Sequence, residues 1–311
     1  MLLNILFIVV GVALVLWGAD RLTDGAVAVA EKMKMPQIVI GLTIVAMGTS
    51  MPEFCVSFIS ALKGTSDLAV GNIVGSNIFN ALLIVGVSAL VAPMTIMETT
   101  VRKDIPFALV ASALLLIMCL DGNISRIDAG ILFAMFLIFM YMTLKGAKKQ
   151  STDVETAVEA EGKKPMATWL SVVWILVGLL CLIGGSNLFV EGATAVATNL
   201  GVSEAVIGLT IVAGGTSLPE LATSVVSARK GNSGIAIGNA LGSNVFNILA
   251  ILGITGMITP MTLKGITYID LSMLVISIML VWLFSFTKYK IERWEGAVLT
   301  AVFVGYIYSL L

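Results

Sequence analysis

Apolar residues run along this chain in long blocks separated by short polar joints. A block of about 20 apolar residues is the length that crosses a bilayer as an α-helix. On that criterion the sequence predicts ten spanning helices: about 2–22, 37–62, 69–92, 105–121 and 127–146, then about 168–190, 204–228, 236–258, 266–286 and 294–311. Between the fifth and sixth lies the one long polar stretch, GAKKQSTDVETAVEAEGKKP from Gly146 to Pro165, too short for a domain and read as a flexible linker. The first block has no basic leader and no small-residue cleavage site, so it reads as a retained span.

The blocks repeat. Val39 to Glu53 reads VIGLTIVAMGTSMPE and Val206 to Glu220 reads VIGLTIVAGGTSLPE, 167 residues apart, differing only at Met47/Gly214 and Met51/Leu218. GNIVGSNIFNAL (Gly71 to Leu82) recurs as GNALGSNVFNIL (Gly238 to Leu249) at the same spacing. Gly18 pairs with Gly185, Gly25 with Gly192, Pro93 with Pro260, Arg126 with Arg293 and Asp128 with Glu295. A register kept without a gap over this distance means two homologous halves. They are expected at 1–146 and 167–311, joined by a linker at 147–166.

Charge sets the orientation. With the N-terminus outside, fifteen of the 18 lysines and arginines fall in inner loops or the linker, and only Lys63, Arg126 and Lys264 lie outside. Both termini are then outside a cell (inner) membrane and the linker is cytoplasmic. Five spans per half invert the second half relative to the first. The expected fold is therefore an all-α integral membrane protein of ten transmembrane helices. It consists of two inverted-topology five-helix repeats with broken helices at the midplane, an arrangement that places sites at the repeat interface.

Composition narrows the chemistry. The chain is 58% hydrophobic and 12% charged, against roughly 25% charged for soluble domains, and its mean hydropathy is +1.04. No basic run is interleaved with aromatics, which leaves nucleic-acid binding without a footing. Histidine is absent, removing H-E-x-x-H zinc chemistry, Ser-His-Asp catalysis and histidine proton relays. Cys55, Cys119 and Cys181 lie in apolar segments without pairing, as small hydrophobes do. Neither an enzyme nor a bound cofactor is expected.

A carboxylate at membrane depth is costly and marks function by default, and Glu53 and Glu220 supply it twice in the same context. Pro52 has no N–H and crowds the carbonyl of Gly48, so carbonyls near Ala46 to Thr49 are expected to be freed. Thr49, Ser50 and Glu53 share one helix face by their spacing, and Thr216, Ser217, Pro219 and Glu220 repeat the arrangement. The next helix adds Asn72, Ser76 and Asn80 at four-residue intervals, matched by Asn239, Ser243 and Asn247, with Asn77 and Asn244 alongside. Hydroxyls, carbonyls, amide oxygens and carboxylates make an all-oxygen set, which suits hard cations such as Ca²⁺ and Na⁺. Two formal negative charges are neutralised by one Ca²⁺ or by two Na⁺. A carrier that crosses mainly when so neutralised exchanges ions instead of leaking them.

Plainer roles fit the neighbours. Gly71-x3-Gly75 and Gly238-x3-Gly242 read as helix contacts, and Asn77 and Asn244 serve equally well as interhelical bonds or ligands. Ser57 and Ser60 read as hydroxyls bonding back along their own helix. Asp24 and Glu191 read as helix-end charges, and the sixteen methionines as filler. For the two glutamates the plain alternative is a buried, neutral, hydrogen-bonded acid.

The paired G-T-S-x-P-E and G-N-x-x-G-S-N-x-x-N segments resemble the α-repeats of the calcium/cation antiporter superfamily, and within it the prokaryotic sodium/calcium exchangers. The resemblance spans essentially the whole chain. It implies exchange of Na⁺ for Ca²⁺ by alternating access between two inverted five-helix halves. Carried over by position, it implies Glu53 and Glu220 as Ca²⁺ ligands, helped by backbone oxygens of Thr49 and Thr216. It implies sodium sites drawing on Ala46, Ser50, Ser76, Ala213, Ser217 and Ser243, with Asn80 and Asn247 at the polar position of the next helix. Some relatives, potassium-dependent exchangers among them, carry aspartate at the position of Asn247. Asparagine in both copies lowers the formal charge by one and disfavours potassium co-transport. Ca²⁺/H⁺ exchange is the alternative, a passive cation channel fits broken helices less well, and an intramembrane enzyme has no nucleophile–base pair to rest on.

Overall fold

The computed structural model describes residues 1–161, 166–201 and 213–310, with side chains over 1–147, 166–201 and 214–310. The protein is helical almost throughout. Helix α1 is Leu2–Lys32; α2 (Gln37–Thr49) and α3 (Met51–Leu62) follow as a pair bent by 48°. Next come α4 (Ser66–Val91), α5 (Thr100–Asp121) and α6 (Arg126–Glu161). In the second half lie α7 (Thr168–Asn199), α8 (Ala213–Thr216), α9 (Leu218–Arg229), α10 (Ser233–Ile258), α11 (Tyr268–Ser285) and α12 (Arg293–Leu310). Among the described residues, seven helices are long and apolar enough to cross a membrane, eight when the bent α2–α3 pair is counted as one span. The opening residues of the 204–228 block, and with them 206–212 of the second motif copy, lie outside the described residues.

The 167-residue register survives as structure. Helix α3 at 51–62 matches α9 at 218–229, and α4 at 66–91 matches α10 at 233–258. Two short antiparallel ribbons stitch the halves together. Strand β1 (Met94–Thr95) pairs with β4 (Lys290–Ile291), and β2 (Asn123–Ile124) with β3 (Met261–Thr262). Each ribbon joins one strand from each half, so neither half completes its own edge.

Helices α4 and α10 form the centre, 72% and 83% enclosed, while α1 and α6 are 22% enclosed and carry exposed apolar faces suited to lipid. Both central helices contain a widened turn, Phe79–Ile84 and Phe246–Ile251, and two more, Gly41–Val45 and Thr100–Asp104, lie in α2 and at the start of α5. Such π-bulges shift the side chains beyond them by an extra residue and cluster at functional sites.

Helices α1 and α7 pack antiparallel along glycines seven residues apart. A Cβ on Gly11 would sit 2.7 Å from the Gly185 carbonyl oxygen, and one on Gly18 would sit 2.8 Å from that of Gly178. Only glycine allows backbones this close. One end of α1 is fastened to α9. The Thr23 and Ser227 hydroxyls meet at 2.9 Å, both fully buried, and Lys230 pairs with Asp20 at 2.5 Å and Asp24 at 2.7 Å. Asp24 is thus held in an ion cluster within α1, eight residues before its end.

The polar stretch after residue 146 departs from the expected linker. Helix α6 continues into it as far as Glu161, because Ala, Glu and Lys favour a helix once one has been nucleated, and 162–165 lie outside the described residues.

Candidate cation site between the broken helices

The break in the first half falls at Ser50, with φ −83° and ψ 10°. Pro52 thereby becomes the second residue of a new helix, where its missing N–H costs nothing, and Glu53 lies in the first turn of α3. The second half repeats this at Ser217, with φ −89° and ψ 7°, placing Glu220 in the first turn of α9. A helix N-terminus favours negative charge, so each half aims a positive dipole end at its own carboxylate.

The carboxylates are tied across the halves. Ser50 donates to Glu220 Oε1 at 2.8 Å, and Ser217 donates to Glu53 Oε1 at 3.0 Å. Each break-point serine thus serves the other half's glutamate. Both glutamates are 1% exposed. The Ser76 hydroxyl lies 3.2 Å from that of Ser217, bringing α4 into the cluster.

Two asparagines support the helix starts. Asn72 Nδ2 donates to the Glu53 carbonyl at 3.3 Å and to Ser57 Oγ at 2.9 Å. Asn239 Nδ2 does the same for the Glu220 carbonyl at 3.2 Å and Ser224 Oγ at 3.0 Å. Asn239 Oδ1 in turn accepts from Thr49 at 3.0 Å, so a first-half hydroxyl reaches the backbone of the second-half acid through one amide. Ser57 donates across to the Ala69 carbonyl at 3.0 Å. It therefore does not bond back along its own helix, because the bend turns it toward α4. Sequence reasoning passed over Ser224 entirely, although Ser57 and Ser224 also stand 167 apart and four residues after each glutamate.

Ala46 is buried, and its carbonyl is not freed: it accepts from Ser50 N at 3.0 Å, with the Thr49 hydroxyl at 3.3 Å. Proline removes the N–H facing Gly48 instead. Ala213 opens α8, and Thr216 closes it one residue before the break. Asn80 and Asn247 lie in the widened turns of α4 and α10, buried, one helical turn beyond Ser76 and Ser243. Asn77 and Asn244 bridge the halves, the Asn244 amide donating to the Asn77 carbonyl at 3.3 Å.

Several buried oxygens have no hydrogen-bond partner in the protein: Oε2 of both glutamates, Oγ of Ser243, and Oδ1 of Asn80 and Asn247. Buried polar atoms are almost always satisfied, and an oxygen left over beside a carboxylate is what a hard cation would coordinate. Among the described residues no group of three or more His, Cys, Asp or Glu side chains is placed to hold a metal. Two carboxylates among neutral oxygens match Ca²⁺ or Na⁺, not a thiolate- or imidazole-bound metal.

Comparison with known proteins identifies the family. Residues 3–145 and 170–311 match the family model described as sodium/calcium exchanger protein. The CaxA protein of Alkalimonas amylolytica is 37% identical over 100% of this chain and 99% of its own. Inner membrane protein YrbG of Escherichia coli (strain K12) is 36% identical over 100% of this chain and 97% of its own. Sodium/calcium exchanger MaX1 of Methanosarcina acetivorans is 30% identical over 99% and 98%. The crystal structure of the sodium-calcium exchanger NCX_Mj soaked with zero Na⁺ and Ca²⁺ superposes with a TM-score of 0.87 at 30% identity, covering 100% of this chain and 99% of that one. With both halves matched and a fold shared end to end, this multi-pass membrane chain belongs to the sodium/calcium exchanger family of cation antiporters.

Proposed function

We propose that the protein is a secondary active antiporter that exchanges Na⁺ for Ca²⁺ across the cell membrane by alternating access. The observation that carries this is the reciprocal pair Ser50–Glu220 and Ser217–Glu53, which draws one carboxylate from each half into a single buried cluster. Glu53 and Glu220 coordinate Ca²⁺, with backbone oxygens of Thr49 and Thr216. Sodium ions take the same carboxylates with Ser50, Ser76, Ser217, Ser243, the Ala213 carbonyl and the Ala46 carbonyl, the last with one lone pair released when the Thr49 hydroxyl turns wholly to Asn239 Oδ1, while Asn80 and Asn247 face the ions as neutral acceptors. Two negative charges satisfied by one Ca²⁺ or two Na⁺ make the loaded site neutral, and an empty site leaves bare carboxylates in low dielectric.

In this reading ten helices form two inverted repeats, 1–146 and 167–311, with both termini outside and the segment at 147–166 in the cytoplasm. The 167-residue register of breaks, widened turns and ribbons supports the repeat, and the lysine and arginine bias supports the orientation.

The test is ⁴⁵Ca²⁺ flux in proteoliposomes with Na⁺, K⁺ and H⁺ gradients imposed one at a time. Uptake driven by a Na⁺ gradient with the pH gradient collapsed is the expected result. Uptake driven only by a pH gradient would replace Na⁺ with protons as the coupling ion, and stepwise single-channel currents would replace the antiporter with a channel.

A further inference from the structure

Two cavities occupy positions related by the repeat, and their charged walls differ: Asp270 in one, Lys103, Asp104 and Lys145 in the other. The first, of about 500 Å³, is walled by Asn72 and Ser76 of α4, Asp270 of α11, and Phe303 and Tyr306 of α12. The second, of about 280 Å³, is walled by Ile38 and Leu42 of α2, Lys103 and Asp104 of α5, and Phe139 and Lys145 of α6. At 167 residues, Asp270 stands where the second cavity has Lys103, and Tyr306 where it has Phe139. The first cavity touches the ion cluster: Ser76 lines it and lies 3.2 Å from Ser217, which holds Glu53. Among the described residues, none of the candidate ion ligands lines the second.

Asp270 is held entirely by neutral donors. Its Oδ2 accepts the Thr267 amide at 3.0 Å and the Thr267 hydroxyl at 2.7 Å, and its Oδ1 accepts the Tyr306 hydroxyl at 2.7 Å. Among the described residues no lysine or arginine pairs with it. These bonds fix the carboxylate on the cavity wall without cancelling its charge. A charged group on the low-dielectric wall of a cleft concentrates counter-ions there.

We propose that Asp270 is a cation-collecting residue that sets the apparent affinity for ions entering through this cavity, whereas the opposite cavity holds Lys103 at the equivalent position and sets its one wall carboxylate, Asp104, against two lysines. The inference rests on reading the Glu53–Glu220 cluster as the transport site. It goes beyond that reading by making the two faces of the carrier unequal through one charge exchanged between equivalent positions. In the proposed orientation the Asp270 cavity is the outer one.

The experiment is ⁴⁵Ca²⁺ transport by the full chain in vesicles of both orientations, comparing wild type, Asp270→Asn and Asp270→Glu. Because a potential acts on ion concentration in proportion to charge in the exponent, the Ca²⁺ factor is the square of the Na⁺ factor. Asp270→Asn is expected to raise the half-saturating Na⁺ roughly threefold and the half-saturating Ca²⁺ roughly ninefold at that face alone. The maximal rate should be unchanged, Asp270→Glu should restore both values, and raising ionic strength with a choline salt should shrink the difference. A loss of the helix cap alone would shift both faces and both ions alike, and that result, or no shift, overturns the inference. Wild-type vesicles without Na⁺-driven uptake would overturn the antiport reading and this inference with it, whereas wild-type uptake with an unaltered Asp270→Asn variant overturns this inference alone.

Discussion

Ser50 breaks the helix that carries Glu53, yet its hydroxyl donates to Glu220, 170 residues away, at 2.8 Å. Ser217 answers at 3.0 Å to Glu53. The exchange makes each acid depend on the other half's chain break, so the two halves cannot separate without exposing a buried carboxylate to apolar surroundings.

Replacing either acid by its amide should therefore stop transport. Glu53→Gln and Glu220→Gln are each expected to abolish ⁴⁵Ca²⁺ uptake while the purified proteins keep the wild-type gel-filtration profile, since glutamine still accepts the serine hydroxyl. Substantial exchange in both variants would put the transport site elsewhere.

Asn247 is fully buried, and neither its amide nitrogen nor its oxygen has a partner in the protein. Asn247→Asp adds a third negative charge beside the cluster and is expected to change ion selectivity or coupling more than the melting temperature. The measurement is flux with Na⁺ and with K⁺ present separately, and wild-type behaviour in both would remove Asn247 from the ion path.

The fastening of α1 to α9 is one-sided. Thr23 and Ser227 bond at 2.9 Å, whereas the equivalent positions hold Val190 and Ser60. Thr23→Val keeps the shape and removes the bond, at about 1 kcal/mol or roughly a fivefold shift in the opening of this end. Faster hydrogen exchange confined to the end of α1 near Lys32 is the expected readout, and unchanged exchange would show that the ion cluster around Lys230 holds the contact alone.

The close α1–α7 interface sets a steric test. Gly18→Ala places a methyl 2.8 Å from the Gly178 carbonyl oxygen, and such overpacking costs about 1–3 kcal/mol. Gly184→Ala, on the exposed face of α7 with nothing within 4 Å, is the control. Thermal unfolding in detergent should show a lower midpoint for the first variant only, and equal midpoints would mean that the helices separate at no cost.

Much of this was legible in one dimension. Apolar block length gave the all-helical membrane architecture, because a bilayer leaves the backbone few other ways to satisfy its polar groups. The 167-residue register marked which residues are equivalent, and the Pro-Glu pairs marked where helices break. Residue type alone pointed to oxygen-seeking cations.

The tertiary structure decided which equivalent residue serves which half. No local pattern encodes that Ser50 reaches Glu220, that Asn72 supports the Glu53 carbonyl through its amide, or that Ser57 turns toward α4, because those contacts depend on how the halves interleave about α4 and α10. The opposed charges of Asp270 and Lys103 were present in the sequence as well. Only folding, by walling one cavity with Ser76 and leaving the candidate ion ligands out of the other, gave that difference a direction.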